Sequence, residues 1–131
     1  MPGHSTPNPK FVRPALVAAV LVIASCRGMT DPISGTWRGR FVHGFESSSF
    51  TPCGYPAQGW WVSFGNAEAS AKYRSLAPQE PNLAGSHYET YVEWGGERSR
   101  LGAFGHLGSY GFEFRVDEVL TVRLPSDTDC R

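Results

Sequence analysis

The chain has 131 residues, with 12 Lys and Arg balanced by 12 Asp and Glu, and 18% charged against 40% hydrophobic residues. That length holds one small domain with a single core. No cluster of Lys or Arg supplies the electrostatic footprint of a nucleic-acid binder, so that partner class is excluded.

The first element is a leader. Lys10 and Arg13 precede the apolar run 14–24, and small residues follow at Ala24 and Ser25, which fits a signal peptide over residues 1–25. The run is too short to span a bilayer, and nothing apolar extends it past Arg27. Val22-Ile23-Ala24-Ser25-Cys26 resembles a bacterial lipobox, which implies that Cys26 becomes the lipidated first residue of a membrane-anchored lipoprotein. An ordinary signal peptide cut near an incidental Cys is the other reading. Arg27 rather than Asp follows the Cys, and by the sorting rule of enteric bacteria this favours the outer membrane, on its periplasmic face. Removing the leader deletes Lys10 and Arg13 and no acid, so the mature chain carries 10 basic against 12 acidic residues.

Residues 26–35 read as the lipidated Cys and a tether, because Gly28, Asp31, Pro32, Ser34 and Gly35 show no period. The domain is expected over residues 36–131. Trp37, Gly39, Phe41 and His43 alternate with Thr36, Arg38, Arg40 and Val42 and predict a first strand, bent or bulged at Gly44. A second extended piece over 48–53 ends in the turn-forming stretch 54–59. In the third strand, 60–64, Trp60, Val62 and Phe64 face the core and Trp61 points outward or against a helix. Asn66 caps a helix over 67–76 whose apolar stripe is Ala69, Tyr73 and Leu76, stopped by Pro78 and Pro81.

A fourth strand, 87–94, places Tyr88, Val92 and Trp94 on one face and is expected to end at Gly95-Gly96. The last strand spans about 112–124, with Phe112, Phe114, Val116, Leu120, Val122 and Leu124 inward and a bulge or bend where Glu118 breaks the alternation. Between these two strands, glycines recur at 102, 105, 108 and 111 without a phosphate-loop pattern. The plain reading is a long loop using glycine's backbone freedom; the sharper one is a ligand or partner loop carrying Phe104, His106 and Tyr110.

Three strands, a helix and two strands predict an all-β fold with one short helix, a five-stranded OB-like β-barrel of order β-β-β-α-β-β. A lipocalin-like or sandwich closure has the same periods. If Cys26 is spent on lipid, Cys53 and Cys130 remain as a pair for an oxidising compartment, and a disulfide is expected, with two free thiols as the alternative.

Gly35-Thr36 opening the first strand, Phe50-Thr51-x-Cys53, the aromatic third strand, Tyr73 in the helix and the late Cys130 resemble the C-terminal domain of the NlpE-type bacterial outer-membrane lipoproteins, which sense envelope stress and surface adhesion. The resemblance implies an OB barrel whose second strand is disulfide-bonded to the C-terminus, and a redox-monitoring role for Cys53 and Cys130. This chain lacks the N-terminal barrel and Cys-x-x-Cys motif of that family, so no copper or other metal role carries over.

Chemistry is sparse. No G-x-S-x-G elbow surrounds a serine, Glu89 and Glu93 alternate on a wet face, and His43, His87 and His106 lack metal-ligand spacing. No enzyme activity, metal or cofactor is expected. Trp61 and Tyr91, outward on their strands, and the loop residues Phe104, His106 and Tyr110 are the candidate binding residues, suited to an envelope protein or an oligosaccharide. The expected function is a binding or envelope-sensing module; the alternative is an inhibitor of an exported hydrolase such as lysozyme.

Overall fold

The computed structural model describes residues 1, 3–4, 31–78 and 87–131. The expected lipidation at Cys26, nearly all of the expected signal peptide and Pro81 lie outside the described residues. The elements are β1 (Ile33–Gly44), β2 (Ser47–Pro52), β3 (Trp60–Phe64), α1 (Ala67–Leu76), β4 (Tyr88–Arg98) and β5 (Glu113–Arg123).

The strands close in the order β1-β2-β3-β5-β4, with β4 returning to β1. All pairs are antiparallel except β3 with β5. A parallel pair needs a crossover connection, and here the chain supplies one by passing through α1 and β4 before β5. This is the expected OB-like barrel. β1 makes closure possible by its length: Ile33 to His43 pairs with β4, and Gly39 to Gly44 pairs with β2. At Gly39 the two strands come so close that a Cβ would collide with the Thr51 carbonyl oxygen and lie 2.8 Å from the Pro52 Cα.

Alternation fills the interior with Phe41, Phe50, Trp60, Val62, Val92, Trp94 and Phe114, every one of them buried. Trp94 lies at the centre, its ring 5.1 Å from Phe41, 5.0 Å from Phe50 and 5.9 Å from Phe114. The helix covers one end, as its sequence requires. The Asn66 side chain accepts from the Ala69 N–H at 2.7 Å, and Tyr73 reaches Phe41, Phe64 and Trp94. The Tyr73 hydroxyl meets the buried Thr90 hydroxyl at 3.2 Å. Leu76 departs from the expected stripe and is exposed, because only the first two turns of α1 lie over the barrel.

Three boundaries differ from the sequence-based expectation. The barrel starts at Ile33, three residues before the expected domain start, because Ile33, Ser34 and Gly35 pair with Arg98, Glu97 and Gly96. β4 does not stop at Gly95-Gly96. It runs to Arg98, since a side chain at Gly96 would strike the Arg115 carbonyl oxygen and the glycine is what lets β5 pass. β5 contains two register shifts rather than one, at Asp117 and at Leu120, so Val119 is fully buried while Leu120 and Leu124 are exposed. The first extra residue moves the inward set from even to odd positions and the second moves it back, to Val122.

Cys53 and Cys130, 77 positions apart in the sequence, form a disulfide with Cα atoms 5.0 Å apart. It ties the segment after β5 to the end of β2.

Candidate functional site

The site forms where a strand face and two connections meet. Alternation in β3 turns Trp60 and Val62 inward, which leaves Trp61 outside the wall and half-buried. The β4–β5 connection begins as a continuation of the ladder: Ser99 donates to the Glu113 carbonyl, Gly102 to that of Gly111, and Phe104 and Tyr110 exchange N–H···O bonds of 2.9 and 3.1 Å. Its tip, 105–109, then folds back over β3 rather than over the helix. Tyr110 lies 5.5 Å from Trp61 between ring centres. Gly105, at φ 71°, lies flat against the Trp61 ring, where any Cβ would collide with it and come within 2.9 Å of Tyr110.

The tip reaches the β1–β2 turn. His106 Nε2 stands 3.5 Å from Glu46 Oε2, both side chains about half exposed. Glu46 and Leu107 each adopt φ 55°, in the left-handed region that bulky residues avoid. Leu107 is 88% exposed and Phe45 83%. The Glu46–His106 contact thus brings two projecting apolar side chains, each adjacent to the pair, to one rim. Beside them a groove of about 370 Å³ opens between the β2–β3 and β4–β5 connections, lined by Gln58, Gly59, Ser109, Tyr110 and Phe112 among others.

Of the five binding residues expected from the sequence, Trp61, Phe104, His106 and Tyr110 come together here. Tyr91 does not. It stands on a different part of the wall and is buried beneath Arg123, whose guanidinium carbon lies 4.0 Å from the ring centre. Arg123 is held in turn by Asp129, with one N–H···O contact of 3.2 Å. Asp129 is only 3% exposed in its side chain, and its pKa is lowered to about 2, chiefly by hydrogen bonding from Arg123 against the opposing effect of burial. The Arg123 pKa is raised, first by the same hydrogen bond.

Phe45 and Leu107 were not singled out in the sequence. The available signal was a large apolar residue inside a turn otherwise made of Gly, Glu and Ser. A second groove, of about 310 Å³, runs beside the disulfide between Arg40, Pro52, Gly54 and Pro56.

Several of the polar residues weighed for chemistry in the sequence have structural neighbours. Glu89 pairs with Arg40 at 3.2 Å, and Glu93 lies opposite Arg38 in register. The His43 ring packs 5.4 Å from both Phe41 and Tyr88. The Ser48 hydroxyl donates to the Val62 carbonyl at 2.9 Å. Among the described residues no group of three His, Cys, Asp or Glu is placed to hold a metal ion. Compared with family models, curated proteins and solved structures, the chain matches none.

Proposed function

We propose that the chain is a non-enzymatic bacterial envelope lipoprotein of the NlpE-like kind, anchored through Cys26 in the outer membrane, whose OB-like domain binds an envelope protein on its β2–β3 side. The observation that carries this reading is the rim at Phe45 and Leu107. Two large apolar side chains exposed beyond 80% on connections held by a cross-loop contact serve no core. Their convergence on one rim through the Glu46–His106 contact supports reading it as a recognition surface. The strained backbone at Glu46 and Leu107 points the same way, since left-handed bulky residues concentrate at binding sites. The adjoining groove, floored by Tyr110 and Phe112, offers polar and aromatic contacts to a peptide or oligosaccharide.

The inhibitor reading draws on one specific feature, the projection of Leu107 from a tight turn, which suits insertion into the cleft of an exported hydrolase. The two readings separate in a single set of measurements. Purified envelope proteins are captured by photo-crosslinking from the exposed position 109 beside the tip, and lysozyme is assayed with the domain in stoichiometric excess. A crosslinked envelope protein whose yield falls at least about tenfold in the Phe45→Ser/Leu107→Ser variant supports the sensor or adaptor reading, a loss consistent with removing apolar hot-spot residues. Stoichiometric inhibition of lysozyme supports the alternative. Crosslinking that is indifferent to both substitutions removes the rim from the proposal. Repeating the capture after reduction of Cys53–Cys130 tests whether partner choice follows the redox state.

A further inference from the structure

The barrel has a second end, and the chain enters the domain there. Ile33 is 37% exposed, Tyr55 49% and Leu101 63%. Tyr55 stands edge-on to Trp37 with ring centres 6.3 Å apart, and Ile33 pairs in register with Arg98, three residues before Leu101. Arg98 spreads its guanidinium 4.4 Å over Phe112 and donates to the Asp31 carbonyl at 3.2 Å. Aliphatic tips, an amphipathic tyrosine backed by tryptophan, and an arginine lying along an aromatic surface are the side-chain types that favour the boundary between lipid tails and water.

The length of chain leading to this end decides what covers it. Six residues separate Cys26 from Ile33, so even a fully extended tether reaches at most about 25 Å. β1 then runs twelve residues from the entry point before Phe45 begins the rim, while Leu101 and Leu107 stand six positions apart in one connection, which limits the distance between surface and rim to about 21 Å. We infer that the surface formed by Ile33, Tyr55 and Leu101 is the membrane-facing end of the domain, resting in the headgroup layer of the phospholipid bilayer and holding the Phe45–Leu107 rim away from it. This rests on the lipidated Cys26 of the proposed function. No excess of positive charge is needed for it. A tether this short holds the surface near the bilayer at an effective concentration of about millimolar, so a contact of only millimolar intrinsic affinity is half occupied.

The test uses the full mature chain on vesicles of phosphatidylethanolamine and phosphatidylglycerol. Intact mass first establishes whether Cys26 carries acyl groups. Amide hydrogen exchange is then compared between the native chain and a Tyr55→Glu/Leu101→Glu variant, substitutions at exposed positions whose melting curve reports any change in folding. Exchange in segments 33–37, 54–56 and 100–102 is expected to be about twofold or more slower in the native chain than in the variant, the factor a half-occupied contact gives, with segments 44–47 and 105–108 unchanged. An unmodified Cys26 removes the anchoring reading and this inference with it. A lipidated Cys26 with equal exchange in the two proteins, or with slowing at the rim instead, overturns the orientation and leaves anchoring intact. Slowing that grows with protein density on the vesicle assigns the surface to a second copy of the chain and also overturns it.

Discussion

At the scale of single residues, Asp129 shows how a carboxylate covered by its own neighbours comes to matter for the fold. Its oxygens accept from the Arg123 guanidinium and from the Ser126 N–H, and Arg123 in turn covers Tyr91. The pair therefore fastens the segment after β5 to the wall, close to where Cys130 is bonded. Because the folded pKa lies near 2 and the ordinary value is 3.8, the ionised form is favoured by folding. The resulting stability is fully present above about pH 4 and is lost as the pH falls towards 2. Relative to the intrinsic exchange rate at each pH, the amides of residues 124–131 are expected to lose protection over that interval in the native chain. In Asp129→Asn the protection should be lower at neutral pH and nearly flat across the interval. Tyr91 is the corresponding misreading at this scale: alternation correctly places it outside the barrel, but period alone does not show that Arg123 lies on it.

Among the elements, β5 is the most instructive. Strict alternation assigns Leu120 to the core and Val119 to solvent, whereas the two register shifts against β4 reverse both. Val119→Ala should therefore cost about 2 kcal/mol, the loss on removing most of a fully buried Val side chain with partial collapse around it. Leu120→Ala should stay within about 0.5 kcal/mol, as for an exposed site. Urea unfolding of the two variants checks the pair, and the reverse ranking would contradict the register. The expected break near Glu118 was visible because a charge interrupts an apolar period. The second shift carries no such mark, since Leu120 is itself apolar. Similarly, Gly95-Gly96 reads as a stop in isolation, and only the passage of the Arg115 backbone alongside Gly96 explains why a glycine stands within a continuing strand.

For the whole molecule, closure and cross-linking act together. The disulfide joins positions 77 apart and so restricts the unfolded chain over most of the domain. In the chain-entropy description this contributes up to about 4 kcal/mol. A Cys53→Ser/Cys130→Ser variant should lose stability up to that amount in denaturant titration while keeping its β circular dichroism, since the barrel core itself contains neither sulfur. Loss of the folded signal altogether would show that the barrel depends on its staple. The identity and order of the elements, the Asn66 cap and the inward faces of β1, β3 and β4 were legible in the sequence because each depends on neighbours within a few positions. The pairing of Cys53 with Cys130 was legible only on the expectation that Cys26 is spent on lipid. The position of the β4–β5 loop over Trp61, the meeting of Glu46 with His106 and the joint exposure of Phe45 and Leu107 depend on barrel closure, which brings together residues some 60 positions apart. Local period cannot encode a contact whose partners are set by the curvature of β1 and the register of β5, so the tertiary structure alone decided where the candidate site lies.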